Sequence, residues 1–304
     1  MLRKPLLPAF ALLAALTWTA PAWTAPSDGT GTHITAEQFI ASLHPVTGDV
    51  TIAEAQATLK LAPGYSFLTA KDAQRVLTQA WGNPPQNEVL GMILPGTDAH
   101  TVLNPKNWAV VVSFVDEGYV SDADAAKIDY DDMLKDLKKA TLDENPERLR
   151  QGYRAIELVG WAEPPHYDPT THKLYWARDL RLKKADGSVA GQSLNYAIRV
   201  LGRKGYLSLN AVAPIDQLAQ VRADMPQVVE MAEFAPGQRY ADYNAGTDKL
   251  AAYGIAALVA GGIAAKAGLF AKLGVLLFAL KKFIVIGVAA VGGVISRFFK
   301  RKQA

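Results

Sequence analysis

Apolar and polar positions in this chain alternate with two periods, one of three to four residues and one of two, which predict helices and strands respectively. Thr35-Ala36-Glu37-Gln38 has the spacing of a capping box and leads into Phe39, Ile40 and Leu43, so a short helix is expected there. Thr58 to Leu61 and Tyr65 to Leu68 each alternate around the turn residues Ala62-Pro63-Gly64, the pattern of a β-hairpin. A second helix is expected from Thr69 through Val76, Leu77 and Ala80, ended by Gly82-Asn83-Pro84-Pro85. Strands follow at Glu88 to Leu94 and Trp108 to Val115, and Asp129 to Leu142 places Met133, Leu134, Leu137 and Ala140 on one helical face.

The next stretch predicts an antiparallel meander. Ala155 to Trp161, Leu174 to Leu182, Leu194 to Val200 and Tyr206 to Val212 read as strands, with turns such as Ala185-Asp186-Gly187-Ser188 and Gly202-Arg203-Lys204-Gly205 between them. Pro214 then opens a helix carrying Ile215, Leu218, Val221 and Met225 on one face, and Pro226 is expected to kink or restart it. Strands grouped together, with helices at their ends, make the fold class α+β with an antiparallel sheet rather than a doubly wound parallel one.

At both ends the pattern changes. Arg3-Lys4, the apolar stretch Pro5 to Trp18 and the small residues of Ala20-Pro21-Ala22 predict a Sec-type signal peptide over residues 1–22. The alternative, an uncleaved N-terminal anchor, needs about 20 apolar residues, more than this stretch supplies. From Lys249 to Ala304 there is no acidic residue, and the uncharged runs Leu250 to Ala265 and Phe283 to Ser296 approach span length. The expected organisation is therefore a signal peptide, an exported α+β domain over 27–248, and a helical membrane anchor with a basic tail over 249–304.

Charge sharpens that division. Of the 32 basic residues, nine lie in the tail and two are Arg3 and Lys4, which leaves 21 against 29 acidic residues, a net −8, for 27–248. An acidic exported domain disfavours a nucleic-acid partner, whereas the basic tail suits a lipid bilayer. There is no cysteine, so an exported domain has no disulfides and needs a full hydrophobic core. The favoured topology is a single crossing from Leu250 to Ala271, with Lys266 snorkelling and the cluster Arg297, Lys300, Arg301 and Lys302 in the cytoplasm. A second segment, Phe283 to Phe299, would make a hairpin and leave that cluster outside, against the positive-inside rule. A span from Leu273 to Ser296 would bury Lys281 and Lys282 at about 2.5–3.5 kcal/mol each. Ala257, Gly261 and Ala265 form a small-residue face suited to a membrane or envelope protein partner.

Several multi-residue blocks occur in order: Gly64-Tyr-Ser-Phe-Leu68, Trp81-Gly-Asn-Pro-Pro85, Gly118-Tyr-Val-Ser-Asp-Ala-Asp-Ala125, Gly160-Trp161, Pro165-His-Tyr-Asp168, Lys173-Leu-Tyr-Trp-Ala177, Leu194-Asn-Tyr196, Leu201-Gly-Arg203 and Thr247-Asp-Lys249. Together they resemble the bacterial DUF2167 family of uncharacterised membrane-anchored proteins. The resemblance implies export and anchoring at the bacterial inner membrane, with the main domain on the periplasmic side. It supplies no activity and no catalytic residue.

Candidate chemistry is sparse. The loop Asp116 to Asp124 is dense in carboxylates, and Asp122 and Asp124 are candidate hard-metal ligands. An EF-hand numbering from Asp122 puts Lys127 where glycine is required, so that motif fails, and a solvated strand-to-helix loop explains the same residues. His166 and His172, around Asp168, are candidate zinc ligands if they flank a hairpin, against plain turn chemistry for Tyr167-Asp168-Pro169-Thr170. Gly191-Gln192-Ser193-Leu194-Asn195 begins like a nucleophile elbow but has asparagine in place of the second glycine and sits in strand pattern. No P-loop, zincin or CxxC signature occurs, so no cofactor is expected. Trp81, Trp108, Trp161 and Trp176 are expected mostly in the core, with Tyr119 and Trp161 as candidate cleft residues. The readings that follow are a non-catalytic, membrane-anchored binding or scaffold protein, a metal-assisted exported enzyme, and a membrane-active tail.

Overall fold

Twelve strands and five α-helices form among residues 34–261, which the computed structural model describes apart from residues 84, 87, 105 and 185. In chain order they are α1 (Ala36–Ala41), β1 (Asp49–Ile52), β2 (Ala57–Lys60), β3 (Tyr65–Thr69), α2 (Ala70–Arg75), β4 (Val89–Pro95), β5 (Ala109–Val115), β6 (Tyr119–Ser121) and α3 (Tyr130–Arg150). Then come β7 (Ala155–Asp168), β8 (Lys173–Lys183), β9 (Val189–Leu201), β10 (Tyr206–Pro214), α4 (Leu218–Met231), β11 (Ala232–Phe234), β12 (Leu250–Gly254) and α5 (Ile255–Ala260). Described residues through Val259 belong to one compact unit. The expected signal peptide, the second apolar segment and the basic cluster lie outside the described residues, as do residues 262–271 of the expected span.

The fold class is α+β. Its centre is a seven-stranded antiparallel sheet in the order β3-β4-β5-β10-β9-β8-β7, which contains the predicted four-strand meander. Alternation gives this sheet two different faces. On one, Ala177, Tyr196, Ile198, Leu207, Leu209 and Val112 pack against Val221, Met225 and Val228 of α4 and against the small sheet β1-β2-β11. The other face is covered in sections: by α1 and α2 near β4, by α3 near β7, and by α5 near β8 and β9.

Local signals behaved as read at several places. Thr35 and Gln38 close a reciprocal capping box on α1, and the Asp129 carboxylate accepts from the Asp131 and Asp132 amides at the start of α3. Three expectations change. β2 and β3 do not form a hairpin: β2 pairs with β1 and β11, β3 pairs with β4, and Ala62-Pro63-Gly64 carries the chain from one sheet to the other. α3 continues past Leu142 and across Pro146 to Arg150, and α4 runs through Pro226 without restarting. The third concerns the tail.

Leu250 to Gly254, where a membrane span was expected to begin, is a strand that pairs in parallel with β6. Ile255, Leu258 and Val259 of α5 are buried with Val120, Leu174, Trp176 and Leu201. Among the described residues no helix is long and apolar enough to cross a membrane.

Candidate functional site

The acidic loop after β6 fastens the 237–259 segment to the sheet. Asp124 accepts hydrogen bonds from the Ile255 and Ala256 amides at 2.9 and 3.1 Å and so caps α5. A Cβ on Gly254 would lie 2.5 Å from Asp124 Oδ1, so only glycine lets the carboxylate approach this closely. Tyr119 donates its amide to Lys249 O at 2.8 Å, and its ring stacks on Tyr240 and Tyr243 at 4.4 and 3.8 Å. Tyr240 donates its hydroxyl to Val120 O at 3.0 Å. Arg203 grips Asp248 through Nε and Nη2 at 2.7 and 2.9 Å, and these hydrogen bonds hold the Asp248 carboxyl well below the usual carboxylate range.

The four candidate ligands do not form one set. The Asp122 carboxylate accepts from Tyr167 Oη at 2.7 Å, and His172 Nδ1 lies 4.0 Å from it. Burial, with Asp122 beside it, raises the Tyr167 hydroxyl far above the ordinary range, so it remains a donor. His172 stacks on Tyr240 at 4.1 Å, whereas Asp124 is engaged with α5. His166 and His172 do flank the β7–β8 hairpin, but their rings go to different sides: His166 stacks on Tyr175 at 5.8 Å. Among the described residues no group of three or more His, Cys, Asp or Glu is placed to hold a metal ion.

On the α4 side of the sheet lies a cleft of about 380 Å³. Ile198, Met225 and Val229 give it an apolar floor, and Tyr175 and Tyr196 an aromatic wall. Glu163 on its rim accepts from Arg222 Nε at 2.9 Å and from Tyr196 Oη at 3.4 Å. Burial and the Glu163 carboxylate raise the Tyr196 hydroxyl, and burial lowers Lys173. Asp168 is occupied by its own turn, accepting from the Thr170 amide at 2.8 Å and Thr171 Oγ1 at 2.7 Å.

The family model described as a protein of unknown function (DUF2167) matches residues 44–292, most of the chain. The chain belongs to the DUF2167 family. No curated protein matches this DUF2167 chain in sequence. Among solved structures it is similar to the cyanobacterial PsbP protein CyanoP of Synechocystis, with 15% identity over 69% of this chain and 98% of that one, at a TM-score of 0.33. It is also similar to the Ran-binding protein Mog1p of Saccharomyces cerevisiae, with 12% identity over 64% of this chain and 96% of that one, at a TM-score of 0.30. LpqN of Mycobacterium tuberculosis, involved in cell envelope biogenesis, has 14% identity over 68% of this chain and 100% of that one, at a TM-score of 0.29. Likeness at this level carries no functional argument.

In this DUF2167 domain Trp81, Trp108 and Trp176 are core residues, Trp161 is half-buried, and Tyr119 belongs to the aromatic stack. Of the residues that line the cleft, His166 and its neighbour Asp168 were singled out in the sequence, as candidate metal chemistry, whereas Glu163 and Arg222 were not. Glu163 and Arg222 are 59 positions apart, and only their placement on β7 and α4, across one sheet face, brings them together. Alternation of Tyr175 and Tyr196 on adjacent strands was the available signal, and it requires the register to be known.

Proposed function

We propose that this DUF2167 protein is an exported, membrane-anchored binding module that holds a segment of an envelope protein partner in the cleft between the β7–β9 face and α4, without catalysis. The observation that carries the reading is the cleft's construction. An apolar floor and two tyrosines offer side-chain contact, while the rim alternates Glu163 and Arg222 with Lys173 and Glu230. Two of its three carboxylates, Glu163 and Asp168, are already committed to neighbouring donors, an arrangement suited to holding shape rather than moving protons. Anchoring to the bacterial inner membrane, with the domain on the periplasmic side, is supported by the signal-peptide pattern and the acid-free C-terminal segment.

A photoreactive phenylalanine analogue in place of Tyr175, in the full chain in intact cells, tests this. A discrete adduct is expected from this position and not from the exposed Val189, and Met225→Lys, which places a charge on the cleft floor, should abolish it. Equal adducts from both positions, or adducts indifferent to Met225→Lys, would refute the reading.

A further inference from the structure

Strand register lays the cleft out as a grid. On the face towards α4, Asp168, Lys173 and Val200 share one level of β7, β8 and β9. His166, Tyr175 and Ile198 share the next level, and Glu163, Ala177 and Tyr196 the third. Lys173 and Ala177 are four residues apart on β8, so the first and third levels are separated by about 13 Å. α4 covers the same distance in the opposite direction. Arg222 lies at the Glu163 end, and Glu230, about two turns further on, lies where its charge acts on Lys173.

The two ends differ. At one, the Arg222 guanidinium reaches from α4 to the Glu163 carboxylate at 2.9 Å, and the Tyr196 hydroxyl donates to the same carboxylate at 3.4 Å. That ion pair joins the two walls, so an extended chain entering from the other end meets a bar rather than an exit.

At the other end the cation has no partner. Lys173 is half-buried and, among the described residues, makes no hydrogen bond or ion pair. Asp168, level with it on β7, is taken up by the Thr170 amide and the Thr171 hydroxyl. Burial outweighs the attraction of Glu230 and Asp168, because the Lys173 ammonium is lowered in spite of both. Glu230 is exposed and water satisfies it, so a ligand cation gains little there. An anion at Lys173 supplies a counter-charge to a group that folding has already partly dehydrated. Charge complementarity at this end selects a carboxylate over an ammonium.

Between the ends lies the apolar floor of Ile198, Met225 and Val229. Tyr175 stands two residues from Lys173 on the same face of β8, about 7 Å away. An aromatic side chain seated against Tyr175 and Met225 thus brings its own backbone to Lys173. When the chain ends at that residue, its α-carboxylate falls on the ammonium, and the bar at the far end is no obstacle.

We propose that the cleft takes the C-terminus of its protein partner, with an aromatic last side chain against Tyr175 and Met225 and the α-carboxylate on Lys173. This rests on the partner-binding reading of the cleft and adds which part of the partner enters it.

A fluorescein-labelled peptide ending in Ala-Ala-Phe, as the free acid and as the C-terminal amide, is titrated by anisotropy against the full chain in neutral detergent. The acid should bind saturably and the amide about tenfold more weakly, the worth of one charge-assisted hydrogen bond at a partly exposed site. Lys173→Met keeps the apolar stem and removes the charge. It should bring the acid down to the amide's affinity and leave the amide unchanged, whereas Lys173→Arg should keep the preference. In cells, the adduct formed from the Tyr175 position should map to the C-terminal peptide of the captured protein. Equal affinities for acid and amide, a preference indifferent to Lys173→Met, no binding of either peptide, or an adduct at an internal segment each overturns the C-terminal assignment. An internal adduct that vanishes in Met225→Lys leaves the cleft reading standing, whereas adducts indifferent to Met225→Lys remove both.

Discussion

Replacing Asp124 with alanine isolates the contact that ties α5 to the rest of the domain. The carboxylate accepts from two amides, Ile255 and Ala256, at 2.9 and 3.1 Å, and Ile255 is fully buried. Loss of an N-cap costs about 0.5–2 kcal/mol, and two bonds to a charged acceptor put this case near the upper end, at about 2 kcal/mol. For a domain of this size that corresponds to a fall in Tm of about 4–8 °C. Locally, it corresponds to hydrogen exchange at the two amides faster by on the order of thirtyfold. Gly254→Ala attacks the same contact from the other side, because its Cβ would lie 2.5 and 2.6 Å from the two Asp124 carboxylate oxygens. The clash disappears once Asp124 is alanine. The double variant should therefore be no less stable than Asp124→Ala alone, with a coupling of about 1–2 kcal/mol. Urea unfolding of the full chain in neutral detergent, with amide exchange read at Ile255 and Ala256, measures both quantities. Additive losses, or unchanged exchange at those two amides, would refute the clasp.

Asp248 has its folded pKa held below the unfolded value of about 3.9 by Arg203 and the Asn244 amide, so its stabilisation is present above that value and lost as pH falls through the folded pKa. Asp248→Asn should be less stable than the native chain at pH 7, and urea unfolding should show the difference narrowing on acidification below about pH 4. Gly118 has φ +103 and a Cβ there would sit 2.6 Å from Lys249 O, whereas Gly152 has φ +83 with open space around it. Gly118→Ala should accordingly cost about 1–3 kcal/mol by urea unfolding, and more than Gly152→Ala. A chain stopped after residue 248 should lose cooperative unfolding and one stopped after residue 259 should retain it, as judged by near-ultraviolet circular dichroism during heating. Burial of Ile255, Leu258 and Val259 alone is worth on the order of 5 kcal/mol.

What the sequence revealed was whatever is decided locally. The capping box at Thr35, the Asp129 cap and the alternation of the four meander strands rest on residues within a few positions of one another, and all are present. The β2–β3 hairpin failed because Ala62-Pro63-Gly64 defines a turn without defining the strands' partners. β2 lies between β1 and β11, and β11 comes more than 170 positions later in the chain. The acidic loop was noticed for its density, but its roles depended on groups far along the chain. Asp122 meets Tyr167 at a separation of 45 residues, and Asp124 meets Ile255 at a separation of 131. Carboxylates in a cluster attract a metal reading when their individual partners are unknown, and here Asp122 and Asp124 have different partners.

The hardest position to read was Lys249, where two boundaries were taken for one. Acidic residues stop there, and an uncharged run begins, which marks a change of composition. The packing boundary comes about ten residues later: β12 adds to β6, and α5 buries its apolar side over Leu174, Trp176 and Leu201. Hydropathy responds in the same way to a side chain buried in protein and to one buried in lipid, since both leave water. What separates the two is the polar partner each residue finds. Asp124 reaches the amides of Ile255 and Ala256, and Arg178 reaches the carbonyl of Val259 from inside the sheet. Groups at both ends of this short helix are thus met by side chains of the domain, so Leu250 to Val259 belongs with the sheet, and a bilayer-facing segment in this chain has to begin beyond it.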